Sequence, residues 1–330
     1  MDFYGTLGPA CQEECVLYQM FQEGMTGLRL NLSHKPLAAC GDWISRMHQA
    51  AERVGIQAQL LIDLQGPELR VGQFEEPLTL EEGQLWSASQ LKLPESTIPY
   101  LTEGQPVLLD DGKLLAKAVG SQSVGTEGMK APLVQIVRGG RLASRKSIAL
   151  PGVTVPSPTL TEADLENLRV ASQYGVTGVM LPFVRSAQDL ITLREELQAA
   201  GAPEIRIYAK LESMEGVRML EELLPYTDEI VIARGDLGNC MDLWRLPAVQ
   251  KKVAAVCRRA GKPFMVVTQM LASMEHMAVP TRAEVSDIFN AVLDGASSVM
   301  VTGETAVGEY PVEVMRYLVK TSQEALAYQE

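Results

Sequence analysis

The sequence has 330 residues, of which 46% are hydrophobic and 21% charged, as is typical of a globular protein. With 29 Lys and Arg against 41 Asp and Glu, its formal net charge is −12, which argues against nucleic acid or an anionic membrane surface as a partner. The N-terminus does not resemble a signal peptide, and no apolar run approaches the roughly 20 residues of a membrane span. The cysteine count is odd and no CxxC pair is present, so we expect a cytoplasmic protein without a zinc finger.

Short apolar runs alternate with amphipathic segments, the pattern of parallel strands joined by helical crossovers. Eight runs are predicted strands: Phe3–Leu7, Leu28–Leu32, Leu60–Leu64, Gly178–Phe183, Ile205–Leu211, Glu229–Ala233, Pro263–Thr268 and Ser298–Thr302. Predicted helices include Ala187–Gln198, Ala248–Arg259 and Val312–Ala327. Eight such units favour an α/β fold of the closed (β/α)8 TIM barrel type, and a doubly wound open sheet remains the alternative.

Two short motifs predict where helices begin. Thr281 and Glu284 have the spacing of a capping box, in which the Thr hydroxyl accepts a free backbone N–H and the Glu reaches back. Thr161 and Asp164 form a weaker version of the same motif.

The alternation of apolar runs with helical segments stops between Gly72 and Ser147, where short β-like runs are separated by turn signals such as Asp111-Gly112. This predicts a small β-rich domain inserted after the third strand. The expected organisation is a first part of the barrel at 1–71, the inserted domain at 72–147 and a second part of the barrel at 148–330. An insertion there hangs at the C-terminal mouth of a barrel, a natural position for a closing lid.

Charged residues follow several predicted strands, at the end of a barrel where active sites lie. Lys210 and Glu212 are two apart on a strand and therefore face the same way. Carboxylates such as Glu212 and Asp236 are hard ligands for Mg²⁺, and Lys210 with Arg29 or Arg70 can offset phosphate charge. A single Lys-x-Glu is more often a surface ion pair, but several charged groups at one rim favour a metal-assisted phosphoryl-transfer site.

Nine segments of the sequence are distinctive: TLGPA, GLRLNLSH, IDLQGPELR, LLDDG, KSIALPG, AKLESMEG, IVIARGDLG, VVTQMLASM and PTRAEVSDIFNAVLDGASSVMVTGETAVGEYP. In these motifs the chain resembles the pyruvate kinase family over nearly its whole length. The resemblance implies transfer of the phosphoryl group of phosphoenolpyruvate (PEP) to ADP, the step of glycolysis that gives pyruvate and ATP. It also implies Mg²⁺ or Mn²⁺ and K⁺ as cofactors.

The resemblance assigns roles residue by residue. The catalytic residues it implies are Lys210, Arg29 and Thr268. The residues implied to bind the phosphoryl group and the carboxylate of the substrate are Arg29, Gly235, Asp236 and Thr268. The metal ligands implied are Glu212 and Asp236 for the divalent ion, and Asn31, Ser33, Asp63 and the Leu64 carbonyl for the monovalent ion. The nucleotide side of the cleft is implied to contain Thr6, Pro9, His34 and Arg70.

The sequence departs from the family pattern at Gln65 (usually Lys), Leu64 (usually Thr), Pro182 (usually Ser), Ala149 (usually Asn) and Cys240 (usually Glu). It also ends after the eighth predicted helix, so we expect no C-terminal regulatory domain and a homodimer or monomer. Two further functions stay open at this point. One is lyase, decarboxylase or tautomerase chemistry on a small 2-oxo acid, and the other is a non-catalytic PEP-binding homologue.

Overall fold

A computed structural model describes residues 1–110, 112–124, 129–153 and 155–329. Asp111 of the predicted turn Asp111-Gly112 lies outside the described residues. The chain forms two compact units. The first comprises Met1–Gly66, Thr159–Leu237 and Arg245–Glu330, and the second comprises Pro67–Pro158 and Gly238–Trp244.

The described residues form strands and helices with the following bounds. The strands are β1 Asp2–Thr6, β2 Gly27–Asn31, β3 Gln59–Asp63, β4 Leu78–Leu80, β5 Leu85–Ser87, β6 Pro106–Leu109, β7 Leu114–Val124, β8 Met129–Arg138, β9 Gly140–Leu142, β10 Ile148–Ala149, β11 Gly178–Leu181, β12 Arg206–Leu211, β13 Glu229–Ala233, β14 Phe264–Val267 and β15 Ser298–Met300. The helices are α1 Glu14–Gln22, α2 Gly41–Val54, α3 Glu162–Val170, α4 Ala187–Ala199, α5 Met214–Arg218, α6 Leu220–Leu223, α7 Arg234–Asn239, α8 Leu246–Arg259, α9 Arg282–Leu293, α10 Gly303–Ala306 and α11 Pro311–Gln329.

The first unit is a closed parallel barrel, so the predicted TIM barrel is confirmed and the open sheet is wrong. Its strands follow the order β1, β15, β14, β13, β12, β11, β3, β2 and back to β1. Strands β11 and β14 are apolar and buried along their whole length, as expected where both faces of a barrel strand are covered. Large side chains fill the interior, among them Tyr4, Leu61, Tyr208 and Met265. The barrel is therefore a packed core rather than a pore.

All eight predicted barrel strands are present, although some end earlier than the apolar run suggested. The run Gly178–Phe183 is a strand only to Leu181, because Pro182 follows and Phe183 has φ +52°. A non-glycine residue with positive φ leaves the extended conformation, so the strand cannot continue.

The helix starts read from the sequence are also confirmed. In α3 and α9 the predicted capping boxes are formed by Thr161 with Asp164 and by Thr281 with Glu284. Each satisfies backbone N–H groups that the first turn of a helix leaves free. Within the described part of the chain, no helix combines the length and the apolar character that crossing a membrane would require.

The second unit is built mainly from antiparallel strands, as expected for the inserted segment. Five strands pair in the order β10, β6, β7, β8, β5, and β4 pairs separately with β9. Alternate residues of these strands point inward, for example Val107, Leu109, Ala116, Val134 and Ile136. The unit therefore has a hydrophobic core of its own.

Candidate active site

The candidate site residues of the barrel follow neighbouring parallel strands. In the order β2, β3, β11, β12, β13 and β14, each strand pairs with the next. Because the strands are parallel, their C-terminal ends lie at one rim of the barrel. Arg29 is on β2, Asp63 ends β3 and Lys210 is on β12, while Glu212 and Thr268 directly follow β12 and β14.

Four of these side chains form one buried network of charges. Asp63 accepts a hydrogen bond from the Arg29 guanidinium at 2.6 Å and from the Lys210 ammonium at 3.0 Å. The Lys210 ammonium also lies 2.9 Å from a carboxylate oxygen of Glu212. The side chains of Asp63 and Glu212 are only 3% and 1% exposed, and those of Arg29 and Lys210 13% and 12%. Two cations and two anions balance each other in this network, as buried charges require.

The network shifts the pKa values of Asp63 and Lys210 towards their charged forms. Burial alone would raise the pKa of Asp63, but the Lys210 ammonium and the Arg29 guanidinium hold it below its usual value. Burial alone would lower the pKa of Lys210, but Asp63 and Glu212 raise it above its usual value. Lys210 therefore carries a full positive charge at neutral pH.

Glu212 is fixed from a second direction by the neighbouring strand. Its Oε2 accepts a hydrogen bond of 2.8 Å from the backbone N–H of Phe183. Phe183 adopts φ +52°, which is uncommon for an aromatic residue and turns its N–H away from a strand ladder. The sequence pattern placed Phe183 at the end of a predicted strand and gave it no role in the site.

Glu212 and Asp236 are the acids predicted to hold a divalent ion. Asp236 lies in the first turn of α7, directly after β13. The residues that the structure describes contain no group of three or more His, Cys, Asp or Glu side chains able to hold a metal. Carboxylates such as those of Glu212 and Asp236 are hard donors of the kind that Mg²⁺ prefers, and a site with only two of them would need substrate oxygens and water to complete it.

Thr268 lies in a turn with uncommon backbone geometry. Thr268 and Gln269 have φ values of +74° and +53°, and Thr268 Oγ1 accepts a hydrogen bond of 2.8 Å from the Gly235 N–H. The guanidinium of Arg234 donates to the Thr268 carbonyl at 2.7 Å and pairs with Asp287 at 2.6 Å. Strained non-glycine residues persist where surrounding contacts hold them, often at functional sites. Arg234 received no role from the sequence, although a charged residue directly after a buried strand was a signal for one.

The residues predicted for the monovalent ion lie at the ends of β2 and β3. Asn31 is opposite Asp63 in the pairing of these strands, and Asn31 Oδ1 accepts a hydrogen bond of 3.1 Å from the Ser33 N–H. Leu64 follows Asp63 and donates its N–H to the carbonyl of Met180 at 3.2 Å. The structure thus brings these four predicted residues together at one pair of strand ends.

The residues predicted for the nucleotide divide between the two units. Thr6 is buried at the end of β1, where its hydroxyl donates to the carbonyl of Val301 at 3.0 Å. Pro9 and His34 are exposed in loops of the barrel unit. Arg70 belongs to the second unit, where its guanidinium donates to the carbonyl of Arg145 at 2.8 Å. These four residues therefore do not form one cluster within a single unit.

Comparison with known proteins identifies relatives of this chain. A sequence model of the family described as "Pyruvate kinase, barrel domain" matches residues 2–315. A pyruvate kinase of Chlamydia muridarum is 33% identical over 98% of this chain and 69% of its own length. Those of Geobacillus stearothermophilus and Mycobacterium intracellulare are 37% and 38% identical over 94% of this chain, covering 54% and 67% of their own lengths. The chain thus spans between about half and two thirds of the length of these relatives.

Proposed function

This chain belongs to the pyruvate kinase family, and from that premise we propose that it transfers the phosphoryl group of PEP to ADP, giving pyruvate and ATP. The observation that carries the proposal is the buried network in which Lys210 lies between Asp63 and Glu212 while Arg29 shares Asp63. Phosphoryl transfer depends chiefly on positioning and on neutralising moving negative charge, and a fixed pair of cations supplies both.

In the proposed mechanism the cations of the barrel act on the two ends of the reacting bond. Arg29, held at its guanidinium by Asp63, binds the phosphoryl group of PEP. Lys210 neutralises the phosphoryl oxygens and the enolate oxygen on which charge develops as the bond to phosphorus breaks. Because both cations are already held by carboxylates, little reorganisation is needed when the charge moves.

Other residues bind and orient the substrate. The backbone of Gly235 and Asp236 and the hydroxyl of Thr268 bind the PEP carboxylate in this proposal. Gly235 N–H donates to Thr268 Oγ1 at 2.8 Å, and the PEP carboxylate would take over this donor. The enolate then takes a proton at carbon from solvent to become pyruvate, and in this proposal the Thr268 hydroxyl orients the water that donates it.

We propose that the ions implied by the family resemblance bind at the C-terminal rim of the barrel. Glu212 and Asp236 would hold Mg²⁺ or Mn²⁺, and Asn31, Ser33, Asp63 and Leu64 would supply oxygens for K⁺. When bound, a divalent ion supplies positive charge that lowers the energy of developing oxyanions. The nucleotide roles of Thr6, Pro9, His34 and Arg70, the lid role of the inserted unit, the cytoplasmic location and the homodimeric or monomeric state stay predictions.

A coupled assay tests the reaction. Purified protein with PEP, ADP, Mg²⁺ and K⁺ should form pyruvate, which lactate dehydrogenase reduces with loss of NADH absorbance, and ATP should appear in equal amount. Omitting ADP is the control that separates phosphoryl transfer from lyase or hydrolytic chemistry. Pyruvate formed at the same rate without ADP would contradict the proposal, as would no pyruvate under any of these conditions. No observation on the site favours the lyase, decarboxylase or tautomerase alternative.

A further inference from the structure

Asp164 does more than cap the helix that it begins. It lies in the first turn of α3 and has no exposed surface. Its Oδ2 accepts hydrogen bonds from the backbone N–H and the hydroxyl of Thr161, at 2.9 and 2.7 Å. The first of these and the bond of 3.1 Å from the Asp164 N–H to Thr161 Oγ1 form the capping box. Two further donors are backbone N–H groups 99 and 98 residues earlier: that of Gln65, to Oδ1 at 2.9 Å, and that of Gly66, to Oδ2 at 3.1 Å. Capping the helix needs neither of these two distant bonds.

The two distant amides belong to the turn that directly follows Asp63. The same turn packs against Pro182. Gly66 has φ +59°, and a Cβ added to it would lie 2.5 Å from Cγ of Pro182. Gly66 is also the last residue before the chain enters the second unit at Pro67. Two residues of the barrel unit, Asp164 and Pro182, therefore hold this turn in place. The turn directly follows Asp63, which pairs with both Arg29 and Lys210.

A carboxylate that accepts two successive N–H groups fixes the two peptide planes that carry them. Hydrogen bonds to an ionised acceptor are shorter and about twice as strong as neutral ones, so such a clamp resists rotation of the turn. The direction of the Asp63 side chain depends on the backbone that this turn continues. If the clamp were lost, the N–H groups of Gln65 and Gly66 would be left without their acceptor, and the turn would rearrange to satisfy them.

We propose that Asp164 is a positioning residue, whose carboxylate holds the turn Leu64–Gly66 so that Asp63 stays between Arg29 and Lys210. The role in the reaction rests on the function proposed above, whereas the clamp itself is a property of the fold. Within the part of the chain that the structure describes, the Asp164 carboxylate accepts hydrogen bonds from Thr161, Gln65 and Gly66 and from no group assigned to the substrate, so it acts through the turn that continues Asp63.

The test compares Asp164→Asn with Thr161→Val. The first removes one carboxylate oxygen and presents an NH₂ group to N–H donors, so it should break the clamp together with part of the capping box. The second removes only the cap hydroxyl and leaves both bonds to the turn. Hydrogen exchange followed by mass spectrometry on overlapping peptides of 59–72 should show faster exchange at Gln65 and Gly66 in Asp164→Asn alone.

Steady-state kinetics supply the second readout. We expect kcat of Asp164→Asn to fall by about 10–100-fold while KM for PEP changes much less, because a small misplacement of charged groups mainly raises the barrier. Thr161→Val should lose thermal stability, with kcat within about twofold of the wild type. Equal exchange at the turn in the two variants, or a kcat in Asp164→Asn that matches Thr161→Val, would overturn the proposal.

The exchange data keep the test of the clamp independent of the proposed function and of the folding of Asp164→Asn. If the wild type does not convert PEP and ADP, the proposed function fails, but slow exchange at Gln65 and Gly66 still supports the clamp. If Asp164→Asn does not fold, wild-type exchange decides, because both amides lie beyond the end of β3 and should be slow only if Asp164 holds them. Exchange there as fast as in an unstructured peptide would rule the clamp out.

Discussion

Replacing Lys210 by Met tests the centre of the proposed mechanism. Met keeps much of the length and apolar stem of Lys but removes the ammonium, whose nitrogen lies 3.0 Å from Asp63 and 2.9 Å from Glu212. The ammonium is the group that meets charge as it develops on the phosphoryl and enolate oxygens. Removing one preorganised group of this kind costs about 2.7–4 kcal/mol of transition-state stabilisation, so kcat should fall by about 10²–10³-fold or more.

The same change also affects stability, and its size follows from the contacts that remain. Asp63 keeps the Arg29 guanidinium, and Glu212 keeps the N–H of Phe183, so neither carboxylate is left without a donor. The site nevertheless gains one uncompensated buried negative charge. Removing one partner of a buried ion pair costs about 3–5 kcal/mol, and we expect Lys210→Met to fall at the lower end of that range.

The assay is the coupled measurement of pyruvate formation over a range of PEP concentrations, with circular dichroism melting to confirm the fold. The matched control is Lys251→Met, since Lys251 also pairs with an aspartate, Asp294 at 2.7 Å, but its side chain is 57% exposed. An exposed pair contributes at most about 1 kcal/mol, so this variant should keep kcat and nearly all stability. If Lys210→Met raised KM and left kcat unchanged, Lys210 would be a binding residue and our mechanism would be wrong.

Three more outcomes are expected. Glu212→Gln keeps an oxygen for the Phe183 N–H and should preserve the fold, but Mn²⁺ titration followed by electron paramagnetic resonance should show much weaker binding; wild-type affinity would refute the metal role. Burial raises the pKa of Glu229, so on a rise in pH its carboxyl ionises first in the unfolded chain. The free energy of unfolding should therefore fall as pH rises from about 4.5 through the pKa of the folded state. In Glu229→Gln, the urea midpoint should not show this decrease with pH. Gly66→Ala should lower Tm more than Gly55→Ala, because both have positive φ but only Gly66 meets the ring of Pro182; equal losses of Tm would contradict this packing.

The sequence by itself determined the elements of the barrel. Most positions on both faces of its strands are apolar, so the strands appear in the sequence as apolar runs. Such a run can be recognised without knowing which strands lie beside it. The starts of α3 and α9 were readable because a capping box is completed within four residues. The shared face of Lys210 and Glu212 was readable from the two-residue period of a strand, and the structure places their charged groups 2.9 Å apart.

Only the tertiary structure decided which partners those residues have. Lys210 pairs with Asp63 across 147 residues, and Asp164 reaches Gln65 across 99. The local pattern of a strand does not say which strands become its neighbours in the closed barrel. The left-handed conformations of Phe183 and Thr268 were equally hidden, because contacts from other strands, rather than the preferences of those residues, hold them there. Residue type and hydrophobic periodicity determine local structure over a few positions. A buried charge, in contrast, is stabilised by the groups that the completed fold brings within about 3 Å of it.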